Sequence, residues 1–147
     1  MTAESSRNLR SIALALGLLL VAACRLPLDP ESTSEEVTGG VLKVGLLMRP
    51  LDAPDRQALE RIAARFDATP ELIEDDPHRL FARLERGDLH LILGRLPGST
   101  PFADKVALSD PFGELRLGGE QEDRVLALRQ GENRFLVGVN RALKEGR

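Results

Sequence analysis

The sequence predicts an α/β fold: a single lobe of three layers, helix on sheet on helix, around a mainly parallel sheet. Three observations carry this expectation. Short aliphatic and β-branched runs alternate with segments whose apolar residues recur every three and four positions, in the order strand, helix, strand, helix, strand. Parallel strands joined through helices need right-handed crossovers, which place helices on both faces of the sheet. The chain has 147 residues, enough for one domain with a real core and too few for two domains with tails.

The body opens with Val41-Leu42-Lys43-Val44-Gly45-Leu46-Leu47, a run suited to a buried strand. Asp52 can then cap a helix whose first turn contains Pro54 and Asp55, with Leu59, Ile62, Ala63 and Phe66 on one face. Glu71-Leu72-Ile73-Glu74 is the second strand candidate. Asp76-Pro77 restarts a helix carrying Leu80, Phe81 and Leu84, which Gly87 stops. The third strand is Leu89-His90-Leu91-Ile92-Leu93. A Gly-rich stretch from 113 to 120 reads as loose, and Arg124-Val125-Leu126-Ala127-Leu128 follows as a strand. A last helix opens at Glu132 or Asn133, lined by Phe135, Leu136, Val139 and Leu143, with Lys144 and Arg147 at the end where cations suit the dipole.

The N-terminus is organised differently. Arg7 and Arg10 precede an uncharged segment from Ser11 to Cys24, the pattern of a signal peptide over residues 1–23. As a helix it would reach roughly 21 Å, short of the roughly 30 Å hydrocarbon core. It ends in Leu20-Val21-Ala22-Ala23-Cys24, which resembles the bacterial lipobox, where the cysteine is lipidated and becomes the first residue of the mature chain. Two or more acyl chains anchor stably where one binds reversibly, so the resemblance implies a membrane lipid anchor through Cys24, the only cysteine. Residues 24–40, Cys24 and then RLPLDPESTSEEVTGG, read as a flexible tether reaching roughly 20–24 Å. The folded domain is assigned to 41–147, facing the periplasm or exterior of a bacterial cell envelope.

Composition removes several functions. With 42% hydrophobic and 29% charged residues and a net charge of −3, the chain is an ordinary globular one, and its acidic body is expected to gain nothing from anionic lipids. Basic residues form no stripe, and five Phe with no Trp or Tyr leave little for base stacking, so no nucleic acid is expected. Gly94-Arg95-Leu96-Pro97-Gly98-Ser99-Thr100 follows a strand, but it lacks the spacing and the lysine of a phosphate loop. His78 and His90, the only histidines, have no partners for a zinc set and read as a surface helix residue and a strand residue facing a polar edge. Asp76 in Glu74-Asp75-Asp76 is accounted for as a helix cap. No GxSxG elbow or H-E-x-x-H is present, so neither an enzyme, a metal nor a cofactor is expected.

Three stretches together resemble the extracellular solute-binding proteins of family 3. They are VLKVGLLMRP, Leu84-Glu85-Arg86-Gly87-Asp88-Leu89-His90-Leu91-Ile92-Leu93-Gly94, and Lys105-Val106-Ala107-Leu108-Ser109-Asp110-Pro111-Phe112. The similarity spans about residues 41–112 and the closing helix from Gly131. It implies a type 2 periplasmic-binding-protein-like lobe and places ligand-binding candidates at Arg49, Arg95, Ser99 and Thr100. By the same resemblance, the position of the ligand-carboxylate arginine falls on Phe102, and that of a carboxylate-holding amide falls on Pro97, which has no N–H. Arg95 stands where the family has a small polar residue; it either supplies the missing cation or pairs with a surface acid. The segment between Phe112 and Arg124 is too short for the family's second lobe, so a second protein chain is needed to close the cleft. The resemblance implies a lipid-anchored solute-binding-like protein beside an ABC permease. The alternative is an envelope module that docks on a partner protein without any small ligand.

Overall fold

The computed structural model describes residues 27–145. A short helix α1 (Thr33–Val37) leads into β1 (Val41–Leu46), α2 (Ala53–Phe66), β2 (Thr69–Glu74), α3 (Pro77–Arg86) and β3 (Leu91–Pro97). Then come β4 (Ala107–Leu108), the hairpin strands β5 (Gly113–Leu117) and β6 (Glu120–Leu128), and α4 (Asn133–Lys144). Helix starts are set locally. The Asp52 carboxylate accepts the Asp55 N–H at 3.2 Å and Asp76 accepts the His78 N–H at 3.0 Å, each ahead of a proline in the first turn. Gly87 ends α3 in the left-handed region at φ 84°.

The sheet runs β2-β1-β3-β6-β4, with β5 also paired to β6. β1 pairs in parallel with β2 and β3, and β6 is antiparallel to β3, β4 and β5. Alternation along the central strands divides the core between two faces. Leu91, Leu93, Leu126 and Leu128 meet Ile62, Phe66, Phe135 and Val139 from α2 and α4. Ile92, Leu96, Val125 and Ala127 meet Leu80, Phe81 and Leu84 from α3. Apart from the small Ala127, each of these side chains contributes about 1.5–3 kcal/mol by leaving water. The three-layer α/β lobe is therefore present as the periodicity implied.

Two segments depart from expectation. The stretch 113–120 is no loose loop. It forms a hairpin closed by Gly118 and Gly119 at φ 59° and 92°, the two positive dihedrals of the tight turn that matches strand twist. Leu115 anchors this hairpin by being buried between exposed neighbours. The expected tether is likewise ordered from Leu28 onward. The Asp29 carboxylate accepts the N–H groups of Ser34 (2.8 Å) and Phe135 (3.0 Å), at the starts of α1 and α4. The buried Glu132 carboxylate answers from α4 by accepting the N–H groups of Glu31 (3.1 Å) and Thr33 (3.2 Å). Val37 is fully buried against the α2–α4 face. Carboxylates at helix starts satisfy amides that a polar composition left without an obvious partner. Cys24 and the expected signal segment lie outside the described residues. No helix of the described residues is long and apolar enough to cross a membrane.

Candidate functional site

Ligands of open α/β sheets gather beyond the carboxyl ends of the parallel strands. Here those ends are Leu46 of β1, with the loop 47–52 after it, Glu74 of β2 and the second half of β3. Between Ile92 and Leu96 the pairing of β3 with β6 slips, so Leu93, Gly94 and Arg95 form a bulge. Gly94 sits at φ 125°, and a Cβ there would lie 2.9 Å from the Met48 nitrogen, so only glycine permits this approach of strand and loop. Arg95 follows at φ 57°. The bulge aims its N–H at Asp55, whose Oδ2 accepts it at 2.8 Å.

Asp55 belongs to a buried ion cluster. Arg124, at the inner end of the hairpin portion of β6, donates from Nη1 and Nη2 to both oxygens of Asp52 at 3.0 and 2.8 Å. Its Nη1 also lies 2.9 Å from Asp55 Oδ2. Arg124 and Asp55 are almost wholly buried, while Asp52 is one-third exposed. Burial raises the Asp55 carboxyl above the ordinary range, even though the Arg124 and Arg95 donors pull it down. For Asp52, burial pushes up but Arg124 prevails and the net direction is down. Burial works against the charge of Arg124, and the two carboxylates more than restore it. Asp55 Oδ1 and Arg124 Nε have no hydrogen-bond partner. The cluster carries two acids for one base, and both terminal nitrogens of its arginine are engaged with the chain's own carboxylates.

The expected site residues do not converge on one point. Arg49 pairs with Glu74 and lines an open, apolar groove of about 890 Å³ beside edge strand β2, with Leu46, Pro50, Leu51, Leu59 and Leu72. Arg95 is exposed on the bulge, and its guanidinium pairs with no acid among the described residues. Ser99 is exposed and, with Gly98, edges a second hollow of about 510 Å³ whose other walls are Glu114, Gln121, Glu122 and Asp123. Thr100 is buried in a turn and accepts a long contact from the Phe102 N–H. Phe102 turns away from the strand ends and stacks on Phe81 of α3, ring centroids 3.9 Å apart, with His78 edge-on at 5.3 Å. The loop position where the resemblance places an arginine thus serves packing.

Other side chains were misjudged or unread in the sequence. His90 faces no polar edge: it is buried, its Nδ1 accepts the Lys43 N–H at 3.1 Å, and Nε2 lies 3.5 Å from Glu36. Burial lowers its pKa despite the Glu36 carboxylate. The Arg124–Asp52–Asp55 cluster went unread, although an arginine opening the apolar run Val125-Leu126-Ala127-Leu128 is a signal that a buried cation needs partners. Ser109 ties strands together, accepting the Leu126 N–H and donating to the Asp110 carbonyl, both at 2.9 Å. Asp110 receives Lys144 of α4 at 2.8 Å. No metal-binding group of His, Cys, Asp or Glu occurs among the described residues.

No protein-family model matches the chain, and no curated protein matches it in sequence. Solved structures do. A single-residue mutant of the arginine-bound form of domain 1 from TmArgBP superimposes with TM-score 0.65 at 23% identity, over 78% of this chain and 97% of that one. An arginine-bound mutant of ArgBP from T. maritima gives 0.65 at 14%, over 79% and 100%. The ancestral amino acid-binding protein AncCDT-1, a precursor of cyclohexadienyl dehydratase, gives 0.63 at 14%, over 77% and 92%. The chain shares the single-lobe α/β fold of these domains, as the sequence resemblance implied.

Proposed function

We propose that this chain is a lipid-anchored, solute-binding-like lobe of the bacterial cell envelope that takes a small polar solute bearing a cationic group and works beside an ABC-type uptake system. The observation that carries the reading is the hollow beyond β3. Ser99 and the Gly98 backbone face Glu114, Glu122 and Asp123, no cation lines the space, and these three acids have no ion pair among the described residues. Unpaired carboxylates around a concave surface attract a guanidinium or ammonium group. Arg95, four residues before Ser99, remains for the carboxylate of an amino acid. The arginine named with the neighbouring structures has both groups. The face is open, so a second chain completes the enclosure that tight binding needs. Lipidation of Cys24 holds the lobe on its membrane.

A thermal melt followed by far-UV circular dichroism tests the solute reading, since the chain has no Trp or Tyr for fluorescence. Arginine and lysine at ten times Kd add about 1.4 kcal/mol, a shift of a few degrees, and glutamate adds nothing. Arg95→Gln weakens arginine while sparing agmatine, which lacks the carboxylate. The second reading, a partner-docking module, is favoured by Pro97 and Phe102, which supply neither amide nor cation for a solute anion. It takes precedence if no solute shifts the melt at 10 mM, a concentration roughly tenfold above a weak, ~1 mM site.

A further inference from the structure

We infer a second site, for the phosphate of an anionic lipid headgroup, in the cleft between α1, α2 and α4. The inference rests on the Cys24 anchor proposed above. The cleft holds about 450 Å³ and is bordered by Arg65, Arg134 and Arg141, with Ser34 and Thr38 at one side and Phe66 and Gly138 at its floor. The concentration of three guanidinium groups is local to this cleft, in a chain that is acidic overall.

Three observations point to an anion. Arg141 has no ion-pair partner among the described residues, whereas Arg65 and Arg134 reach Glu145 at 2.8 Å and Glu35 at 3.1 Å, leaving one cation uncompensated. Those two acids are exposed and can yield their arginines to a phosphate, which guanidinium forks bind with two parallel hydrogen bonds. The Ser34 hydroxyl is buried at the cleft wall without a hydrogen-bond partner, while its neighbour Thr38 Oγ1 already donates to the Ser34 carbonyl at 2.6 Å. A buried hydroxyl left without a partner is uncommon in a native fold and is satisfied by an acceptor entering from the cleft.

The occupant follows from chain length. Pro27, on the cleft border, is three residues from Cys24, a span of at most about 10 Å. Because Asp29 and Glu132 fasten the segment from Leu28 onward to α4, that segment adds no long flexible spacer between Pro27 and the folded body. An acylated Cys24 therefore keeps this face at the headgroup layer. Anionic headgroups draw each nearby arginine by an amount equivalent to about fivefold in affinity.

The test uses mature, full-length protein whose Cys24 modification is first read by intact mass. Amide exchange over α4 is compared in phosphate-free dodecyl maltoside micelles, phosphatidylcholine vesicles and vesicles containing phosphatidylglycerol. The expected result is added protection at 134–141 with phosphatidylglycerol, weakened about fivefold in Arg141→Gln and reduced again in Ser34→Ala, with the far-UV spectrum unchanged. Equal protection in all three, or protection indifferent to Arg141→Gln, overturns the headgroup site while leaving the anchor standing. Protection conferred by inorganic phosphate in micelles, with none added by phosphatidylglycerol, assigns the cleft to free phosphate and overturns the lipid occupant. An unmodified Cys24 removes the anchor, and the site's tie to the bilayer falls with it.

Discussion

Arg124→Gln is the sharpest perturbation of the lobe. The substitution removes the guanidinium contacts at 3.0, 2.8 and 2.9 Å and leaves Asp55, 1% exposed, with a charge and only the Arg95 N–H to meet it. Removing one partner from a buried ionic group costs about 3–5 kcal/mol, because the remaining charge stays buried. In a domain of this size that is a large part of total stability, and Tm falls by roughly 10–25 °C. Urea unfolding followed by far-UV circular dichroism measures it. The loss should shrink as pH falls, since burial already raises the Asp55 carboxyl and, without Arg124, the carboxylate takes a proton more readily. Adding Asp55→Asn should recover part of the loss at neutral pH. A cost below about 1 kcal/mol, the level of an exposed pair, would refute the buried-cluster account.

Three further outcomes follow. His90 has a folded pKa below its ordinary 6.5, chiefly through burial, so its stabilising effect is complete above that value. It is lost as pH falls below 6.5, at up to about 1.4 kcal/mol per unit; His90→Gln should flatten that limb of the stability profile, and parallel profiles from pH 7 to 5.5 would contradict the assignment. Asp29→Ala should cost about 1–2 kcal/mol and strip exchange protection from α1, because the amides of Ser34 and Phe135 lose their common acceptor; unchanged exchange there would show that the segment is held by other means. Gly94→Ala, at φ 125° and 2.9 Å from the Met48 nitrogen, should cost about 2–3 kcal/mol in urea unfolding, and a neutral effect would mean that the bulge relaxes freely.

The local parts of this fold were legible in the sequence because their causes are local. Asp52 and Asp76 cap the helices they were assigned, Gly87 stops α3, and the apolar faces read for α2 (Leu59, Ile62, Phe66) and α3 (Leu80, Phe81, Leu84) are the buried ones. What escaped notice depends on distant partners. Asp29 reads as linker because its amide from Phe135 lies 106 positions away, and Arg124 meets Asp52 across 72. The hairpin escaped for a different reason: Gly118-Gly119 has the composition of a loose loop until its two strands are seen paired. At the candidate site the sequence singled out the loop after β3, but not which side chains leave it. Phe102 goes to α3, Thr100 goes inside, and only Arg95 and Ser99 remain on the surface near the strand ends.

In the proposed function, solute meets this lobe at the acid-lined hollow beyond β3. Backbone amide shifts of the labelled full-length protein in neutral micelles, recorded during an arginine titration, test it most directly. The account predicts saturable shifts centred on Arg95, Gly98, Ser99, Glu122 and Asp123, halved or worse in Glu122→Gln/Asp123→Asn and absent with glutamate. Shifts centred instead on the Leu51–Leu72 groove, or no saturable shift with any cationic solute, would contradict it.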